Sequence, residues 1–434
     1  MRDQLEEEEG DQQHHQQQHS SIQHTSSNPI AKLAFFSTFL VVTLLVIIYP
    51  PFDYSNDPRK IFESAPSLWY LNSTTSAHDE GKEANSSENC DLFTGDWVPD
   101  PDEPYYTNET CHKMYAFQNC LKNGRPDSGY LKWRWKPDGC ELPKFDPDRF
   151  LELVRGKSMA FVGDSLARNH MQSLGCLLSK VAAHPEDVKA EEREEWVFKD
   201  YNFNISAYWS AFLTKTEKSE KGPGNIYLDE FNEYWTAKIE NYDYMIISAG
   251  PWFFHTTMYY EKRRLFGCNN CKEENVPDIG FYSAYQKALR TSLRAMRELA
   301  KPGATFFVRS VSPIHFDGGP WDNGGHCNRT EPLKRKETSL DPYSAILRGI
   351  QMEEVEIAQK EGSKKGLSFR LIDVTSSMRL RPDGHPDVYC RGPNEKVAHD
   401  CLHWCLPGPI DVWNEFLLQL LIRDQDRRNS NDTV

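Results

Sequence analysis

The sequence has no cysteine before Cys90, no glycosylation sequon before Asn72, one long apolar run and no excess of positive charge. Each absence excludes something. With 64 carboxylates against 50 Lys and Arg, and a net charge of −14, nucleic acid is excluded as a natural partner and a polyanionic polymer such as unesterified pectin is disfavoured. A neutral polymer fits better. No internal repeat is visible. The pair Cys268-Asn269-Asn270-Cys271 has no second Cys/His pair at zinc spacing, so no metal site is expected. A local disulfide, or a bridge to Cys390, remains for it.

What is present is arranged asymmetrically along 434 residues, a length that suits one large domain or two ordinary ones. Residues 1–29 are acidic and rich in Gln and His, with almost no apolar content, and read as a disordered, solvated tail. Residues 30–49 are the apolar run, and 20 residues are what a helix needs to cross a bilayer. Tyr49-Pro50-Pro51-Phe52 follows instead of a small-residue cleavage site, which favours an uncleaved signal anchor. Sequons at Asn72, Asn85, Asn108, Asn204, Asn328 and Asn431, and all eleven cysteines, lie beyond it. A cytosolic N-terminus and an oxidised, lumenal remainder are therefore expected, a type II arrangement. Residues 50–89 read as a stem. Residues 90–150 combine four cysteines with many aromatics and turn residues, a disulfide-tied loop subdomain. Within it Trp133 and Trp135 alternate as strand neighbours do, as sugar platforms or as core.

Residues 151–423 alternate strand and helix. Apolar runs at 158–162, 242–248, 305–309 and 369–374 read as strands, and helical spacing marks 166–178, 282–299, 343–360 and 411–423. Residues 185–196 read as a charged, exposed connection, and 424–434 as a flexible end. The alternation implies an α/β domain: a central parallel sheet with helices on both faces, three layers, ligands meeting the carboxyl ends of the strands.

The chemistry concentrates where the first of these strands meets its helix, at Phe161-Val162-Gly163-Asp164-Ser165-Leu166. A serine on that turn sits near the free N–H groups of a helix N-terminus, a place for a nucleophile; a cap on the helix is the plainer reading. A serine hydroxyl needs an imidazole to take its proton and a carboxylate to orient that imidazole. Asp400 and His403, three residues apart, supply both from one turn. His385, in Asp383-Gly384-His385-Pro386, is a rival base without an adjacent orienting pair.

Gly-Asp-Ser early and Asp-x-x-His late resembles the GDSL/SGNH esterases. Trp133-Arg134-Trp135-Lys136-Pro137, Ser312-Pro313-Ile314-His315-Phe316, Arg381-Pro382-Asp383-Gly384-His385 and the run Asp400 to Gly408 narrow this further. In fixed order, they resemble the plant trichome birefringence-like polysaccharide O-acetyltransferases, over about residues 90–422. The resemblance implies an SGNH-like fold, a Golgi home and disulfides Cys90–Cys140, Cys111–Cys176, Cys120–Cys405 and Cys327–Cys401. It also implies acetyl transfer through Ser165, without cofactor, from a donor supplied in the lumen to a neutral hemicellulose. Xyloglucan is the nearest acceptor, with mannan close behind. An acetylesterase with the same triad and a non-catalytic polysaccharide-binding protein are the alternatives. The N–H groups of Ser165 and Gly250 are candidate oxyanion donors, next to Gly163 and Asp164. The family often carries Asn where this chain has Ser248, so Asn169 or Arg309 is a candidate third donor.

Overall fold

The computed structural model describes residues 90–432, except 112–113, 183–184, 191–192, 219–223 and 392–398. The expected tail, anchor and stem, with Asn72 and Asn85, lie outside the described residues. Among the described residues, no helix is long and apolar enough to cross a membrane.

The chain after residue 150 is built on a seven-stranded sheet. Its strands are β3 (Ser158–Gly163), β4 (Glu186–Ala190), β5 (Arg193–Phe198), β6 (Phe203–Trp209), β9 (Tyr244–Ser248), β12 (Thr305–Arg309) and β13 (Ser368–Ile372), in the spatial order β13-β12-β9-β3-β6-β5-β4. The five strands from β13 to β6 run parallel; β5 and β4 then add on antiparallel. Central strands such as Met159-Ala160-Phe161-Val162 are apolar throughout because both faces are covered. Successive side chains point to opposite faces, and the packing divides accordingly. Met159, Phe161, Ile246 and Phe307 enter one core. Ala160, Val162, Met245, Ile247, Phe306 and Val308 enter the other.

On the first face lie α1 (Pro147–Leu153), α2 (Ser165–Leu178) and, closing the chain, α5 (Val412–Asp432). On the second lie α3 (Tyr282–Leu299) and α4 (Pro342–Gly362). These are the expected three layers, but the sheet is mixed. A second sheet of four strands, β7 (Thr214–Glu217), β8 (Gly224–Phe231), β10 (Thr257–Glu261) and β11 (Arg264–Asn269), packs against α3. The N-terminal piece carries one antiparallel pair, β1 (Gly95–Pro99) with β2 (Trp133–Pro137). There Trp135 is buried and its indole N–H donates to the Leu92 carbonyl at 2.9 Å, so it is core.

Two readings need correction. Residues 185–196 do not form an exposed connection: β4 and β5 extend the sheet, and the buried Trp196 packs so tightly on α2 that a Cβ at Gly175 would lie 2.0 Å from its ring. The closing helix runs to Asp432, past the expected end at 423. Asn108 and Asn328 are exposed, whereas Asn204 sits inside β6 between two paired neighbours, its Nδ2 donating to Glu195 at 2.9 Å. Asn431 falls in the last turn of α5.

Candidate active site

Ser165 opens α2 directly after β3, and two local features hold it there. Gly163 adopts φ +154°, and a Cβ at that position would lie 1.8 Å from the carbonyl oxygen of Ser248, its register partner in β9. Only glycine lets the two strand ends approach so closely. Asp164 is the N-cap of α2, its carboxylate accepting from the Leu166 N–H at 2.9 Å. The cap is thus Asp164, which leaves the Ser165 hydroxyl free for another partner.

The loop from Asp400 to Gly408 brings the other partners. His403 Nε2 lies 2.6 Å from Ser165 Oγ, and His403 Nδ1 lies 2.9 Å from Asp400 Oδ2. The second carboxylate oxygen of Asp400 accepts from the backbone N–H groups of His403 at 2.9 Å and Leu402 at 3.2 Å, so the carboxylate cannot swing away. Because the ionised Asp400 carboxylate only accepts, Nδ1 must carry the proton and Nε2 is left as the acceptor facing the serine. Burial works against charge on both groups. The Asp400 carboxylate nevertheless overcomes it for His403, whose pKa is raised above the usual histidine range. Burial also works against Asp400, but the charge and N–H of His403 and the two backbone donors hold it at about 2.

The loop is braced from four directions. Disulfides Cys120–Cys405 and Cys327–Cys401 flank it. Asn169, one turn along α2 from Ser165, accepts from the Trp404 N–H at 2.9 Å and donates to the Trp404 carbonyl at 3.3 Å. Trp404 donates its indole N–H to Ser312 at 3.0 Å, and the His315 N–H donates to the Cys401 carbonyl at 3.2 Å. His385 stacks on Trp404 with ring centroids 4.0 Å apart, its Nδ1 2.7 Å from the His403 carbonyl.

The remaining candidates separate. Asn169 is a clamp on the base loop and not an oxyanion donor, because both ends of its amide are taken by backbone. Arg309 is also displaced from that role: it is buried beneath the site, stacked 4.7 Å from the Trp413 ring and donating to the Ser310 carbonyl. Burial draws it down to about 10, against the pull of Asp164. Asp164 itself is raised by burial, with Arg309 opposing. His385 faces the back of the loop, away from Ser165, and cannot serve as its base. Gly250 lies two residues beyond Ser248, as Ser165 lies two beyond Gly163, so the register brings both to the same sheet edge.

Two residues at this edge, Phe117 and Trp209, went unread in the sequence. Phe117, 37% exposed, meets His403 edge-on with centroids 6.1 Å apart and stacks on Tyr115. Trp209, 39% exposed and in register with Gly163, holds the Arg168 guanidinium over its ring and touches Trp252. The implied Cys120–Cys405 bridge was a usable signal for Phe117, since it ties residue 120 to the neighbourhood of His403. The other bridges found are Cys90–Cys140, Cys111–Cys176 and Cys268–Cys271, and Cys390 belongs to none of the five.

Residues 142–420 match the GDSL/SGNH-like acyl-esterase family found in Pmr5 and Cas1p, and residues 88–141 match the PMR5 N-terminal domain. The chain is 42% identical over 417 residues to protein trichome birefringence-like 19 of Arabidopsis thaliana, covering 93% of this chain and 96% of that one. It is 47% identical over 343 residues to protein trichome birefringence-like 20 of the same plant, covering 76% and 72%. To xyloglucan O-acetyltransferase 1 of Populus trichocarpa it is 44% identical over 349 residues, covering 76% and 81%. With the serine, histidine and aspartate in hydrogen-bonded sequence and relatives of this kind along most of its length, the chain belongs to the trichome birefringence-like family of polysaccharide O-acetyltransferases, within the GDSL/SGNH-like acyl-esterases.

Proposed function

We propose that this chain moves acetyl groups onto hydroxyls of a neutral hemicellulose, xyloglucan foremost, through an acetyl-Ser165 intermediate. The observation that carries the reading is the relay from Asp400 through His403 to Ser165, at 2.9 and 2.6 Å. Ser165 Oγ attacks the acetyl carbonyl of the donor while His403 Nε2 takes its proton and Asp400 stabilises the imidazolium. The developing oxyanion meets the N–H of Ser165, at the positive end of α2, and that of Gly250. Collapse expels the donor's leaving group, protonated by His403, and leaves the serine ester. His403 then deprotonates a sugar hydroxyl, which attacks the ester, regenerating Ser165 and releasing the acetylated polymer.

Exposed aromatic rings near Ser165 suit a sugar chain. Phe117 lies against His403 and Trp209 is in register with Gly163, and flat apolar rings pack against the C–H faces of pyranoses while leaving hydroxyls free. An uncharged polymer also fits the acidic chain. The xyloglucan assignment draws on the names of the poplar and Arabidopsis relatives. Five disulfides support an oxidising compartment, and we place the protein in the Golgi membrane with a single span at residues 30–49, the cytosolic end first.

The test incubates the purified full chain with an acetyl donor and, separately, xyloglucan, glucomannan and xylan oligosaccharides. A gain of about 42 Da on xyloglucan, and on the Ser165 peptide after acid quench, is expected. A Ser165→Ala protein of native fold that still acetylates at the parent rate would overturn the mechanism. Preference for glucomannan would move the acceptor. Acetate release unaffected by any acceptor would favour an acetylesterase, the reading the family's esterase members suggest.

A further inference from the structure

Behind the catalytic loop, two histidines form a chain between two carbonyls. His315 Nε2 lies 3.1 Å from the Arg379 carbonyl, His315 Nδ1 lies 2.7 Å from His385 Nε2, and His385 Nδ1 lies 2.7 Å from the His403 carbonyl. All three are hydrogen-bond distances. A carbonyl only accepts, so His315 Nε2 and His385 Nδ1 must each carry a proton. Two neutral imidazoles hold one N–H each, and both are then spent. The two nitrogens left facing each other would be bare lone pairs at 2.7 Å, which repel. A third proton between them removes the conflict.

We infer that His315 and His385 share this proton and carry one positive charge as a pair, and that the pair positions the carbonyl of His403 from behind. The inference rests on His403 being the base of the proposed reaction. Charge around the pair acts in both directions. The carboxylates of Asp383, Asp341 and Asp317 face His315, and Asp400 faces His385; His403 and Arg125, which donates to the His385 carbonyl at 2.9 Å, oppose. Burial outweighs the carboxylates and lowers the pKa of both rings, His385 well below the usual histidine value, so it is the three contacts that call for the shared proton, and a second is not taken. The bond is also placed to matter. His385 stacks on Trp404 and His315 donates its backbone N–H to Cys401, so the pair touches the loop on both sides of His403. As pH rises and the pair loses its proton, the lone pairs oppose each other, His385 shifts, and His403 loses its brace. Both histidines are positioning residues, and their deprotonation adds an alkaline limb to the pH profile.

Nitrogen-15 NMR of the full chain with labelled histidine reads the proton count without any assay of acetyl transfer. At the pH of maximal activity, signals removed by His315→Gln or His385→Gln should show three protonated ring nitrogens between the two residues. Two neutral rings, with one protonated nitrogen each, would overturn the inference. The second arm is kinetic. A glutamine amide has two N–H donors, one for His385 Nε2 and one for the Arg379 carbonyl, and it does not titrate. His315→Gln should keep kcat near the parent value and abolish the alkaline limb. His315→Leu should lower kcat about tenfold with KM little changed, since His385 then lacks its donor. An alkaline limb unchanged in His315→Gln would refute the pair. If the triad reading failed instead, the NMR count would stand while Ser165→Ala remained active.

Discussion

Replacing Asp400 with asparagine tests the relay more sharply than removing any other group, because asparagine has the same shape and can keep the backbone donors of Leu402 and His403. What it loses is charge. Asp400 is held at about 2 against an ordinary 3.8, a difference worth about 2.5 kcal/mol between its two protonation states. Part of this is its coupling to charged His403, which is the state reached when Ser165 gives up its proton. Losing that coupling alone lowers kcat by up to about 100-fold. The amide adds a second penalty. If its N–H faces Nδ1, the ring proton moves to Nε2, which can no longer accept from Ser165, and a serine protease of unrelated fold with the same kind of triad loses on the order of 10⁴ this way. The pH profile carries the cleaner sign. His403 must be neutral to act, and Asp400 raises its pKa, so the parent's acid limb lies above the usual histidine range. In the variant only Asp164 is left to oppose burial, with Arg168 acting alongside burial, and the limb must move to lower pH. The assay is kcat against pH on xyloglucan oligosaccharides, with circular dichroism to establish the fold. A folded variant with the parent's acid limb and a kcat within a few-fold of it would refute the reasoning.

Asn169→Leu fits the space but strands the Trp404 N–H and carbonyl in a buried site. It should cost about 2–4 kcal/mol, read as a lower Tm, and lower kcat more than it changes KM. Gly163→Ala places a methyl group 1.8 Å from the Ser248 carbonyl at a φ that alanine avoids, so folded protein should not be recovered from expression. Cys120→Ser with Cys405→Ser opens a loop spanning 285 residues, for which chain entropy gives roughly 5 kcal/mol; Tm should fall steeply, and activity should fall with it.

The strand, turn and helix around Ser165 were legible because an apolar run, a Gly-Asp-Ser turn and helical spacing all pointed the same way. The same agreement made β9, β12 and β13 readable. The edge of the sheet was harder. Arg193-Glu194-Glu195 looks like a surface connection, yet Trp196 and Phe198 alternate behind it, and that alternation of two was the strand's signal. Arg309 was misjudged for a related reason: it ends a strand buried on both faces, so its guanidinium had nowhere to go but under the helix. Asn169 could be placed on the Ser165 side of α2 from spacing alone. What it binds there is the backbone of a loop more than 230 residues away, which no local pattern reports.

That loop explains the layout of the rest. Ser165 gains its position from a strand and a helix, which are rigid by construction, while Asp400 has only an isolated backbone bridge to Asp387 and His403 stands in irregular chain. A displacement of one ångström between base and nucleophile is enough to cost large factors in rate. The chain answers by fastening the loop with two disulfides, the Asn169 amide, the Ser312 hydroxyl and the stacked ring of His385. One of these ties, Cys120–Cys405, also brings Phe117 of the N-terminal piece against His403. The bond that fixes the loop thus also sets an exposed ring of the PMR5 N-terminal region beside His403. A sugar packed on Phe117 would lie close to His403 and help keep water from it, which is the condition for acetyl transfer to outrun hydrolysis.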